Sequence, residues 1–76
     1  MNGTGDRAVL LFHTSSHAFR AEKLLLEASI ECALVPLPRQ LSSDCGVCLR
    51  LARADVERAR AVLATGHVEI AGIHDI

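Results

Sequence analysis

Residues 32–51 read CALVPLPRQLSSDCGVCLRL, and the parsing of this stretch decides the fold. Cys32 to Val35 (CALV) is a short apolar run. Pro36 stops it, because proline has no N–H to give a ladder. Pro36 to Asp44 then holds two prolines, two serines and an aspartate, the composition of a turn-rich loop. Gly46 to Leu51 (GVCLRL) alternates: Val47, Leu49 and Leu51 share one face, Cys48 and Arg50 the other. That period of two is the mark of a half-buried strand. The stretch is therefore two strands around a polar loop, with Pro36 ending an edge strand and Pro38 stiffening the turn.

Upstream, Ala8 to Phe12 (AVLLF) is a continuous apolar run too short for a helix, and it reads as a buried strand. In the following HTSSHAFRAEKLLLEAS, Ser15 or Ser16 can cap a helix. Ala18, Ala21, Leu25 and Ala28, with Leu24 beside them, recur at helical spacing, and Arg20, Lys23 and Glu27 fall mainly on the other side. Downstream, Asp55 reads as an N-cap, and Val56, Ala59, Val62 and Leu63 form a second helical stripe. Gly66 suits the C′ position of that helix. Val68 to Ile73 (VEIAGI) reads as the last strand, with Gly72 weakening its end.

The resulting order, βαββαβ, predicts an α+β fold of ferredoxin-like type: a four-stranded antiparallel sheet with two helices on one face. Residues 7–76 are expected to form one domain, and residues 1–6 a flexible N-terminus. In this topology the turn after the first strand, the central hairpin loop and the start of the last strand share one end. His13, Ser15, Ser16, His17, the LPRQLSSDC loop and His67 are then expected on one rim.

A chain of 76 residues makes one small domain. A domain of that size buries only about 60% of the surface of its unfolded chain. There is no Trp or Tyr, and Phe12 and Phe19 are the only Phe, so the core is aliphatic. A net charge of -1 gives no electrostatic footprint for nucleic acid or an anionic membrane. The scarcity of aromatics removes the stacking platforms of single-strand binders. The first residues, MNGTGDR, have no apolar run, so no signal peptide is expected, and no segment approaches ~18 apolar residues. Three cysteines make an odd set, unlike a disulfide-stapled secreted domain. The expected location is cytoplasmic. No motif calls for a cofactor.

Cys45 lies at a loop-to-strand junction beside Gly46, where its sulfur is expected to be reachable. A helix N-terminus on the same rim, with Arg39 and with His13 or His17, favours thiolate, while the adjacent Asp44 opposes it. Ser42 and Ser43 can shape the turn and donate to a small anion. Cys45 could equally be a small packing residue.

Cys45 and Cys48 are formally C-x-x-C. Opening a strand rather than a helix, however, they would stand about 10 Å apart on opposite faces. A disulfide needs Cα atoms within ~7 Å, so the pair closes only if the chain turns through Gly46. His13, His17, Cys45 and Cys48 count to four zinc ligands, but Cys48 would again have to turn back. Otherwise Cys48 is a strand residue on the open sheet face, and Cys32 a packing residue at a strand start. The open face is expected to be apolar, since Ala8 to Phe12 contributes on both sides; such a surface suits a homodimer.

The run from Phe12 to Leu51 resembles a family of very small bacterial domains of unknown function, labelled Se/S carrier protein-like. The resemblance rests on a phenylalanine and hydroxyl-rich turn before AEKLL, then LVPLPR, then a serine-rich turn into CG. Its specific part is Pro36, Pro38, Arg39, Ser42, Ser43, Cys45 and Gly46. It implies a carrier thiol on Cys45 that holds a persulfide or selenopersulfide, in a loop shaped by Pro36, Pro38, Arg39 and Gly46. It also implies donor and acceptor enzymes, such as a cysteine desulfurase, and no turnover by the carrier itself. Cys48, His13 and His17 lie outside the resemblance. Two other readings remain open: a non-catalytic interaction or dimerisation module, and a dithiol redox or zinc-binding domain.

Overall fold

Arg7–Leu11 form the strand β1, and Val9 and Leu10 on it are fully buried. A computed structural model describes residues 6–37 and 46–75. The elements that follow are α1 (Ser15–Glu27), β2 (Cys32–Pro36) and β3 (Val47–Ala52), then a 3-10 turn (Arg53–Asp55), α2 (Val56–Thr65) and β4 (Gly72–Asp75). The sheet order is β2-β3-β1-β4, and every neighbouring pair is antiparallel. This is the ferredoxin-like arrangement, with β1 and β3 central and β2 and β4 at the edges.

The register sorts the side chains by face. Leu34, Leu49 and Leu10 stand in one row across the sheet, facing the helices. Ala18, Ala21 and Leu25 of α1 and Ala59 and Leu63 of α2 close over that row. The small alanines let the helices approach closely, and the leucines fill the space between. Each buried Leu contributes about 1.5–3 kcal/mol of transfer free energy. No charged or polar side chain is buried among the described residues. Val9, Leu11 and Cys48 point to the other face, where Val35 and Leu37 pack against them.

Both helices end in the same way. Ser29 and His67 adopt left-handed backbone, with φ of 63° and 61°. Ile30 donates its amide to the Leu25 carbonyl and Ser29 to the Leu26 carbonyl. Val68 donates to Leu63 and His67 to Ala64 in the identical pattern. These are Schellman motifs, each locked by an apolar residue that drops into the core just after it. The expected C′ residue Gly66 is therefore one position early: its φ is -85°, and His67 makes the turn. Gly66 is needed for space, since a Cβ there would stand 2.5 Å from Leu24 Cδ1.

Three other expectations shift. Thr14, not Ser15 or Ser16, caps α1, its Oγ1 accepting from the His17 amide at 3.2 Å. Asp55 makes no side-chain cap, because the 3-10 turn before α2 already holds its backbone in a helical conformation. Its carboxylate instead faces Arg58 at 3.7 Å. The last strand spans Gly72–Asp75 rather than Val68–Ile73. Val68 is consumed in closing α2 and Ile70 packs on the core, so the ladder with β1 starts later.

Candidate functional site

The register brings the described parts of the expected rim to one end of the sheet. Leu11, at the end of β1, is opposite Cys48 near the start of β3 and opposite Gly72 at the start of β4. Pro36, at the end of β2, is opposite Val47. Phe12 is fully buried and anchors the chain as it leaves β1, so His13 to His17 are presented exposed at the same end. The start of α1 follows directly. Its first turn carries no acidic residue, so the positive end of the helix dipole faces this rim without a carboxylate in that turn.

The segment after α2 reaches the same rim. Arg20 donates from Nη2 to the Gly66 carbonyl at 3.1 Å, which ties α1 to the α2 terminus. His13 Nε2 lies 3.6 Å from Glu69 Oε1, with both side chains well exposed. Glu69 was not expected at the rim; only the late start of β4 reveals it.

The neck of the central hairpin is well defined. Leu37 donates its amide to the Gly46 carbonyl at 3.2 Å, extending the β2–β3 pairing beyond Pro36 and Val47. Gly46 has φ of 74°, and a Cβ there would meet nothing within 4 Å among the described residues. Glycine is thus required by conformation, not by crowding. Pro36 is exposed at the end of the edge strand, as a proline in a sheet must be placed. Pro38, Arg39, Ser42, Ser43 and Cys45, the core of the sequence-based site, lie outside the described residues.

Cys48 occupies the open sheet face as expected, but it is fully buried there. Its Sγ lies 4.0 Å from the Pro36 carbonyl, a weak S–H···O contact across the edge pair. The apolar side chains of this face are covered within the single chain: Val9 is 0% and Leu11 6% exposed. They form a second small core rather than the exposed patch that a dimer through this face would use. His17, in the first turn of α1, belongs to the opposite layer from Cys48. Among the described residues no three His, Cys, Asp or Glu side chains group as metal ligands.

Cys32 stands apart from the rim. It pairs with Leu51 at the far end of the sheet, beside a shallow cavity of about 220 Å³ lined by Arg7, Glu31, Arg50 and Asp55. Burial, and secondarily the charge of Glu22, push its thiol above the usual value. It is therefore a poor nucleophile and serves as the packing residue expected. No helix among the described residues is long and apolar enough to cross a membrane.

A small ferredoxin-like α+β domain, with its hairpin neck, a helix start and the entry to its last strand on one rim, is the class these features define. Within that class the chain belongs to the family described as "Putative Se/S carrier protein-like", whose model matches residues 7–75. No match was found among curated proteins or among solved structures.

Proposed function

We propose that the protein carries sulfane sulfur or selenium on Cys45 and passes it between partner enzymes. The observation that carries this reading is family membership over residues 7–75. The rim supports it. A bonded neck between Leu37 and Gly46 delimits the loop that contains Cys45, and the N-terminus of α1, with no acidic residue in its first turn, lies at the same end. A helix N-terminus favours thiolate over thiol. Arg39 adds a cation, Ser42 and Ser43 donate to the bound anion, and Pro36, Pro38 and Gly46 shape the loop. Cys48 is a packing residue beneath this loop's base rather than a resolving thiol.

The chemistry is thiolate exchange. The Cys45 thiolate attacks the outer sulfur of a donor persulfide. A new S–S bond forms, the donor S–S bond breaks, and the donor leaves as a thiolate. Delivery is the same step in reverse, with an acceptor thiolate attacking the outer sulfur and Cys45 departing. No net oxidation occurs, so no redox cofactor is needed. Donor and acceptor are cytoplasmic enzymes of sulfur metabolism, a cysteine desulfurase being the natural donor. The carrier has no turnover of its own.

The test is cyanolysis. Cyanide takes the outer sulfur of a persulfide as thiocyanate. Chain charged by a cysteine desulfurase and cysteine, then freed of donor, should release thiocyanate, and Cys45→Ser should release none. No thiocyanate from the wild type, or an equal yield from Cys45→Ser, would overturn the reading.

A further inference from the structure

We propose that two copies of this chain associate about a two-fold axis, pairing their β2 edges and packing the adjoining flanks of α1. Among the described residues β2 has a strand partner on one side only. The Leu37–Gly46 bond fixes which of its residues bond to β3. Hydrogen-bonded positions alternate along an antiparallel pair, so Val35 and Ala33 face β3 and Cys32, Leu34 and Pro36 turn their backbone groups outward. Pro36 has a carbonyl but no N–H to offer. The outer edge is complete only at Cys32 and Leu34.

One antiparallel register uses both and avoids the proline. With the axis at Ala33, Cys32 of each copy exchanges both backbone bonds with Leu34 of the other. Ala33 then faces Ala33 across a non-bonded pair, where side chains come closest and a methyl group fits. The sheets join into one, with all four helices on the same side.

The flank of α1 above this edge is self-complementary. α1 packs against β2, and the charge of Glu22 acts on the Cys32 thiol, so this flank overlooks β2. One turn to either side are Phe19 and Leu26, 56% and 53% exposed, the two most exposed large hydrophobic residues among those described. They are equidistant from the midpoint between Glu22 and Lys23. Antiparallel α1 helices centred there set Phe19 of one copy against Leu26 of the other, and Glu22 against Lys23. Both pairings are attractive, and each occurs twice.

Sedimentation equilibrium under reductant, up to about 1 mM chain, tests this at the weak end of specific association. A monomer–dimer equilibrium is expected. Phe19→Glu or Leu26→Glu should weaken it about tenfold, the equivalent of one apolar side chain left exposed. Glu22→Lys should weaken it about threefold and the exchange Glu22→Lys with Lys23→Glu should restore it, as for a cross-interface ion pair. Phe19, Lys23 and Leu26 are exposed and Glu22 is half-buried, and circular dichroism checks the fold. A wild type that stays monomeric, or a dimer indifferent to these substitutions, would overturn the proposal.

Discussion

The Leu37 amide donates to the Gly46 carbonyl across 3.2 Å, while Gly46 itself holds a φ of 74°. That one bond closes the central hairpin at the base of the loop carrying the proposed thiol. A left-handed residue at this point lets the chain enter β3 immediately after the loop. An L-residue with a Cβ pays about 1–2 kcal/mol in that region, and Asn pays less. Gly46→Ala should therefore lower stability by about that amount, with Gly46→Asn between the two, measured by urea unfolding. No atom of the described residues lies within 4 Å of the added Cβ, so the loss is expected to be conformational. An unchanged midpoint for Gly46→Ala would contradict this account of the neck.

Gly66 should behave differently. Its φ of -85° suits any residue, but a Cβ would meet Leu24 Cδ1 at 2.5 Å. The Leu24 tip can swing aside, so Gly66→Ala should cost no more than about 1 kcal/mol. In a Leu24→Ala background the same change should become neutral or stabilising, because alanine restricts the unfolded chain. Thermal unfolding of the four proteins gives the coupling directly.

Cys48 lies among Val9, Leu11, Val35 and Leu37. Cys48→Ala removes one atom from a fully buried site and should cost about 1 kcal/mol. Cys48→Ser puts a hydroxyl into the apolar cluster and should cost more, about 1–3 kcal/mol. Neither should prevent charging of Cys45. A variant that folds but no longer accepts sulfur would make Cys48 part of the chemistry.

The order of elements was legible because the patterns were clean. GVCLRL alternates, and Leu49 and Leu51 do face the helices while Cys48 and Arg50 face away. Pro36 marked the edge strand correctly. The helix ends were not legible, because Ser29 and His67 take the left-handed position that sequence rules reserve for glycine. There the following Ile30 and Val68, anchored in the core, outweigh the local preference. The same anchoring hid β4. VEI looks like a strand, yet Val68 and Ile70 satisfy their hydrophobicity against the helices, and the more polar GIHD pairs with β1. Cys48 packs with neighbours from two other strands, β1 and β2, and with the residue beyond β2, which no local pattern contains. Cys45 and its loop were read from sequence alone and lie outside the described residues.

Cys32 gives a pH signature. Burial first, and Glu22 second, raise its thiol above the usual 9.0. The unfolded chain loses this proton sooner than the folded one, so the folded state binds more protons in that window. Stability therefore falls as pH climbs from about 9 through the folded pKa. Wild type should lose more stability between about pH 8 and pH 10 than Cys32→Ala does, by urea unfolding at each pH. Identical losses would mean that Cys32 keeps its ordinary titration.

The central claim is that Cys45 accepts a sulfur atom. Intact mass of the reduced chain, before and after incubation with a cysteine desulfurase and cysteine, measures it directly. Wild type should gain the mass of one sulfur, lose it on treatment with a dithiol, and show no gain as Cys45→Ser, while Cys48→Ala charges normally. No adduct on folded wild type, or an adduct that persists in Cys45→Ser, would contradict the account.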